Sequence, residues 1–203
     1  MGQIVGVLAL QGAFSKHLAA LKKLGVVGQE VRTARDLYEC DALIIPGGES
    51  TVIFRQLDFI ELRGAVKDFG QYKPIFGTCA GLILMSRKVI NDPLEPFGML
   101  NVEVERNAFG RQAESFKTDV ELLLKPPQTI PAIFIRAPRI KGVGEGVKVL
   151  ASYAEEPILV QQGLHMGATF HPELTDDLWL HRLLVDITDT ARTNTGSRVG
   201  RPQ

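Results

Sequence analysis

Pro74-Ile75-Phe76-Gly77-Thr78-Cys79-Ala80-Gly81 joins a short apolar run to a turn of small residues, and a helical pattern resumes at once with Leu82, Ile83 and Met85. A strand that passes directly into a helix needs a sharp turn, with a strained central residue and little bulk beside it. Gly77, Ala80 and Gly81 meet that need and put Cys79 at the tip. The helix that follows, 80–87, points its positive N-terminal end at the sulfur, which favours thiolate over thiol. Cys79 therefore reads as a nucleophile. A free cysteine is also among the most buried residue types and often only a small inert hydrophobe, so the turn alone does not decide. The other cysteine, Cys40, lies between Glu39 and Asp41 with no glycine nearby. Acidic neighbours raise a thiol pKa, and Cys40 reads as structural.

Outward from this turn, the first ninety residues alternate apolar runs with helical patterns, the signature of strand–helix–strand units and a parallel sheet. Residues 4–10 form a buried strand broken by Gln11 and Gly12. Phe14, Leu18, Leu21 and Leu24 then recur at spacings of four, three and three, one helical face ended by Gly25. Further strands are predicted at 29–33, at 42–45 before Pro46-Gly47-Gly48, and at 74–76. Beyond residue 97 the rhythm changes: Val102 and Val104 alternate with Glu103 and Glu105, and the runs at 120–124, 132–135, 147–152 and 158–161 lack intervening helices. This half is expected to be mixed or antiparallel. A last strand, 168–170, leads into His171-Pro172-Glu173 and a closing helix over 175–191, with Leu178, Leu180, Leu183, Leu184 and Ile187 on its buried side. One domain is expected over 1–191, followed by a polar, glycine-bearing tail, 192–203, expected to be disordered.

Composition narrows the function classes. The chain has 203 residues, 45% hydrophobic and 23% charged, with no apolar run long enough to span a bilayer. Lysine plus arginine and aspartate plus glutamate stand at 23 each, so the basic footprint of a nucleic-acid binder is missing. Two cysteines, one needing to be reduced, and a start without a basic leader pattern point to a cytoplasmic protein.

A nucleophilic cysteine needs a base, and the base needs an orienting partner. Of four histidines, His17 falls in a pattern of surface helix positions, His165 in a turn, and His181 beside Arg182 in the closing helix; these read as structural or solvated. His171 ends a strand, precedes a stiffening proline and has Glu173 two residues on, on the same side of an extended chain. Such a pair also occurs by chance or in a metal site, but no further histidine–cysteine cluster supplies the other ligands, and no metal is expected. Cys79, His171 and Glu173 would meet at the carboxyl ends of adjacent parallel strands, where open α/β sheets place their sites. The N–H of Ala80 and the Gly47-Gly48 turn could receive a developing oxyanion. Pro46 to Thr51 is otherwise a plain turn leading to a helix cap at Ser50 or Thr51, and it lacks the lysine of a phosphate loop.

GTCAG at 77–81 and HPEL at 171–174 resemble the class I glutamine amidotransferases, which carry a cysteine–histidine–glutamate triad. A more specific resemblance, through GVLALQGAF at 6–14, PGGEST at 46–51, ERNAFGRQ at 105–112 and FIRAP at 134–138, is to the glutaminase subunits of pyridoxal 5′-phosphate synthases. It covers almost the whole chain up to the closing helix. The resemblance implies a three-layer, flavodoxin-like α/β fold with a mixed, mostly parallel central sheet. It implies hydrolysis of L-glutamine through a Cys79 thioester without a cofactor, and delivery of ammonia to a synthase subunit in a hetero-oligomeric complex, for vitamin B6 biosynthesis. It further implies glutamine contacts from Gly48, Glu49, Ser50, Arg106, Ile135 and Arg136, and a coupling role for Gln11. A guanidinium suits an α-carboxylate, although a surface ion pair is the ordinary fate of either arginine, and Arg111 and Arg139 keep that reading. Activity is expected to stay low until the partner docks, with a peptide flip near Gly47 and Gly48 as one device. Competing readings are a glutaminase serving another synthase, a partner-independent cysteine hydrolase and a non-catalytic scaffold. ERNAFGRQ and FIRAP disfavour the first, the two arginines the second and the intact triad set the third.

Overall fold

A computed structural model describes residues 2–106 and 115–196. The ERNAFGRQ motif beyond Arg106, with Arg111, and residues 197–203 of the tail lie outside the described residues. Strands β1 (Ile4–Leu8), β2 (Val27–Val31), β3 (Ala42–Ile45) and β4 (Ile75–Thr78) alternate with helices α1 (Phe14–Lys23), α2 (Ala34–Tyr38), α3 (Ser50–Phe59) and α4 (Leu62–Phe69). Helix α5 (Ala80–Met85) leaves β4 at once and runs into β5 (Ser86–Val89). The second half holds β6 (Leu100–Glu105), β7 (Phe116–Leu122), β8 (Gln128–Phe134), β9 (Arg139–Val143), β10 (Lys148–Tyr153), β11 (Glu156–Gln162) and β12 (His165–Ala168), then a 3₁₀ turn, Pro172–Leu174, and α6 (Trp179–Gly196).

The central sheet has the order β2-β1-β3-β4-β12-β11-β10-β7-β8. The first five of these strands pair in parallel and the remainder antiparallel. With β12 as the fifth parallel strand, the order is that of a flavodoxin-like sheet. Strands β5, β6 and β9 form a smaller sheet.

Period-two alternation puts different side chains on the two faces of the main sheet. From β3, Leu43 and Ile45 enter one core with Leu57, Val66, Leu84 and the small-sheet residues Val102 and Ile140. Ala42 and Ile44 face a second core with Leu21 of α1, Leu180 and Leu184 of α6, and Phe76 and Phe170. The result is three layers. Among the described residues no helix is long and apolar enough to cross a membrane.

Several boundaries differ from the sequence expectation: β1 stops at Leu8 rather than 10, β2 spans 27–31 rather than 29–33, α5 stops at Met85 rather than 87, and β12 spans 165–168 rather than 168–170. The closing helix starts at Trp179 rather than near Thr175, because Thr175 Oγ1 and Asp177 Oδ1 capture the N–H groups of Asp177 and Trp179 at 3.3 and 2.8 Å, local bonds that compete with a helical ladder. It also continues to Gly196, past residue 191. Arg192 lies on this extension and pairs with Asp41 at 3.6 Å, so residues 192–196 are helical rather than disordered. His165, placed in a turn by the sequence, opens β12 instead.

His17 and His181 are structural rather than solvated, and His17 is not at a surface position. Both are 0% exposed, and His17 Nδ1 lies 2.9 Å from His181 Nε2 between α1 and α6. Burial pushes His181 down to about 4 from an ordinary 6.5. Burial, followed by the charges on His181 and His171, holds His17 well below that value. Cys40 is structural as expected: its Sγ donates to Asp36 O at 3.2 Å, and burial, opposed by Lys73, raises its pKa to about 12.

Phe76 is fully buried at the centre of the sheet. Phe76→Ala should cost about 3–5 kcal/mol, read from urea unfolding. The buried histidines set an acid limit with a definite sign: the unfolded chain takes up protons near pH 6.5, whereas in the folded chain His181 does so only near 4 and His17 well below its ordinary value. Stability is therefore present above about 6.5 and lost as pH falls, by up to about 1.4 kcal/mol per pH unit for each ring. In His181→Gln the slope of unfolding free energy between pH 6.5 and 4 should be visibly shallower.

Candidate active site

Four neighbouring parallel strands end at one edge of the sheet, and each delivers a site segment. β1 leads into Gln11 and Gly12, β3 into Pro46-Gly47-Gly48, β4 into Cys79, and β12 into His171. Register fixes their heights: Ile45 pairs with Gly77, and Thr78 with Ala168.

Cys79 sits at the tip of the β4–α5 turn with φ 48° and ψ −101°, a left-handed angle that costs energy for any side chain other than glycine's. Its N–H donates to Ala168 O at 2.8 Å, and its carbonyl accepts from Ile83 N–H at 3.3 Å. The neighbouring glycines are required by contact. A Cβ on Gly81 would collide with Ile45 O, and one on Gly77 would lie 2.5 Å from the carbonyl carbon of Gly81. Cys79 is 7% exposed, and its sulfur lies 4.0 Å from Ile135 O.

His171 reaches the same place from β12, and its N–H donates to Ile133 O at 2.8 Å. Strand β8, at the far edge of the sheet order, thus returns over the carboxyl ends and brings Ile135 and Arg136 with it. His171 Nδ1 lies 2.7 Å from Glu173 Oε1, and the Glu173 side chain is completely buried. Burial opposes charge on the imidazole. Hydrogen bonds to Cys79 and Glu173, and the charges on both, outweigh it and hold the His171 pKa up at about 10. Gly47 presses on this pair, since a Cβ there would collide with the His171 ring and lie 3.3 Å from Cys79 Cβ.

The segments enclose a cleft of about 600 Å³. Of the residues singled out in the sequence, Gln11, Gly48, Glu49, Ser50, Cys79, Arg106, Ile135, Arg136 and His171 line it. Ala80 begins α5 and is fully buried, while Glu173 stands behind His171. Gln11 Oε1 accepts from Glu49 N–H at 3.2 Å, which ties the β1 loop to the Gly48 turn. Arg106 pairs with Asp92 at 2.7 Å and also borders the cleft. Arg136 is exposed, has φ 43°, and forms no ion pair among the described residues. Arg139 bonds Glu156 away from this cleft. Gly12, Thr51, Ile83 and Pro138 also line it without having been singled out. Gly12 carried a signal, because Gln-Gly breaks a buried strand there; its φ is 84° and its missing side chain leaves room for Gly47 O.

Such an arrangement can attack a carbonyl-type carbon with sulfur, donate and recover a proton through His171, and hold that ring's charge with Glu173. Known proteins share the whole framework. A chain titled glutamine amidotransferase superimposes with a TM-score of 0.85 at 44% identity, covering 91% of this chain and 98% of its own. A chain in the structure of PurLQS from Thermotoga maritima, at 17% identity and a TM-score of 0.61 over 96% of this chain and 99% of that one, shares the fold. Two relatives are each named pyridoxal 5′-phosphate synthase subunit PdxT. The one from Solibacter usitatus (strain Ellin6076) is 47% identical over 89% of this chain and 97% of its own length. The one from Parafrankia sp. (strain EAN1pec) is 47% identical over 97% of each. Residues 7–189 match the SNO glutamine amidotransferase family, and the chain belongs to that family.

Proposed function

We propose that the cleft hydrolyses L-glutamine to L-glutamate and ammonia, and that Cys79, His171 and Glu173 carry the reaction. The observation that bears most weight is the placement of Cys79 on a strained turn against an imidazole whose other nitrogen is held 2.7 Å from a buried carboxylate. Cys79 thiolate attacks the side-chain amide carbon. The tetrahedral oxyanion faces the Ala80 N–H and the Gly48 turn. His171 gives its proton to the departing nitrogen, so ammonia leaves and a glutamyl thioester remains. Water, deprotonated by His171, then cleaves the thioester to glutamate and restores the thiolate.

Gly48, Glu49, Ser50, Arg106, Ile135 and Arg136 hold the substrate. Between the arginines, Arg136 is the better partner for the α-carboxylate, because Asp92 already occupies part of the Arg106 guanidinium. The chain is the glutaminase subunit of a pyridoxal 5′-phosphate synthase, acting in vitamin B6 biosynthesis, and it hands ammonia to the synthase subunit. The hand-over has a chemical reason: ammonia free in neutral water is mostly protonated and is then no nucleophile. Gln11 couples docking to the site through its bond to Glu49 N–H, and a rearrangement of the Gly47-Gly48 peptide completes the oxyanion pocket. Residues 1–191 serve as a single glutaminase domain, and a cytoplasmic setting suits a thiol that must stay reduced.

Cys79→Ala should lose more than about 10³-fold in glutamine turnover while still binding the synthase subunit; unchanged turnover would remove the mechanism. Wild-type glutaminase activity should rise on adding the synthase, and equal rates with and without it would exclude gating. Arg136→Gln should raise KM for glutamine about tenfold with kcat little changed, as expected for loss of one charge-assisted contact.

A further inference from the structure

Glu173 has two carboxylate oxygens, and His171 uses only one. Oε2 is fully buried and has no hydrogen bond of ordinary geometry among the described residues. It faces His17 Nε2 at 3.5 Å, with both side chains 0% exposed. The other nitrogen of His17 lies 2.9 Å from His181 Nε2. A continuous buried line therefore runs from Cys79 through His171, Glu173 and His17 to His181, joining the β4 turn to α1 and α6. Among the described residues, the titratable groups facing Glu173 are His171 and His17, and those acting on His17 are Glu173, His181 and His171.

Hydrogen placement along this line is constrained. A neutral imidazole has one N–H and one lone pair, and burial keeps both His17 and His181 neutral. If His17 carried its proton on Nδ1, the lone pair of Nε2 would face a carboxylate oxygen in a dry interior. With the proton on Nε2, His17 turns an N–H toward Glu173 Oε2, 3.5 Å away and short of ordinary hydrogen-bond geometry, and its Nδ1 accepts from His181 Nε2–H. His181 Nδ1 is then the bare end of the line, as its lack of a partner among the described residues requires. A buried carboxylate oxygen left without a partner is costly, and a carboxylate held through one oxygen alone is free to turn away from His171.

We propose that His17 is a positioning residue for glutamine hydrolysis, presenting Nε2–H to Glu173 Oε2 with its tautomer set by His181, and so holding the carboxylate aimed at His171. This deepens, and rests on, the assignment of Cys79, His171 and Glu173 to the reaction. His17 touches neither substrate nor the reacting atoms.

Two conservative replacements separate a positioning role from a packing role. His17→Asn keeps a polar group for His181 but is too short to reach Glu173. His17→Gln keeps an N–H donor near the Nε2 position. For the full chain, the rate of Cys79 alkylation by iodoacetamide is followed against pH by mass spectrometry, and kcat and KM for glutamine are measured with the synthase subunit present. In His17→Asn, weaker support of the imidazolium should move the onset of alkylation about one pH unit upward and cut kcat about tenfold, with KM nearly unchanged. His17→Gln should lie close to wild type in both. Equal profiles and equal kcat for the Asn and Gln variants, or a wild-type profile in Asn, would overturn the proposal. Glu173→Gln and His171→Ala serve as references. If neither alters the alkylation profile, the triad assignment itself fails, whatever His17 does.

Discussion

Backbone meeting backbone at the carboxyl edge of the sheet is the constraint on which the rest of this molecule depends. Gly12 abuts Gly47 O, Gly47 abuts the His171 ring, and Gly81 abuts Ile45 O, each so closely that a single methyl group would collide. Such contacts let four strand ends converge within reach of one sulfur. They also explain why the strained angle at Cys79 is tolerated: hydrogen bonds to Ala168 and Ile83 and the packing of Gly77 and Gly81 fix the turn from several sides. The strain is held by the sheet, so chemistry at the turn inherits the sheet's stability.

The second theme is charge taken out of water. The Glu173 side chain is wholly buried beside His171, the ring that the proposed mechanism makes a proton carrier. Such a charge is costly unless its oxygens are met, and the cost is distributed along elements far apart in sequence. Helix α1 contributes His17, helix α6 contributes His181, and β12 carries the pair they serve. The outer helices are thus more than a cover for the hydrophobic face of Ile44, Phe76 and Phe170.

Much of this was legible in the chain. Alternation of apolar runs with helical spacing marked β1, α1, β3, β4 and α5, since periodic burial is a local property. The cysteine turn, the His171–Glu173 pair and the Gly47-Gly48 turn were readable because their residue types and spacings are unusual. Strand β9 was not, because Lys141 and Gly142 interrupt its apolar pattern and it is held by pairing with β6, a contact made 34 to 41 residues away in sequence. Nor was the burial of His17, although Phe14, Leu18 and Leu21 flank it at helical spacings on the apolar face. A lone histidine in such a stripe reads as tolerated polarity until its partner, 164 residues on, is brought beside it. Convergence of Arg136 on the cleft likewise depended on β8 folding back over the strand ends.

The order in which site residues occur along the chain has a consequence for biosynthesis. Cys79 emerges from the ribosome well before His171, Glu173 and His181, the last of which lies in the final helix. Until the chain has reached His171, the proposed nucleophile has no proposed base, and until α6 docks, His17 has no His181 beside it. Under the proposed mechanism a polypeptide that stops short of His171 would be chemically idle and would release no amide nitrogen.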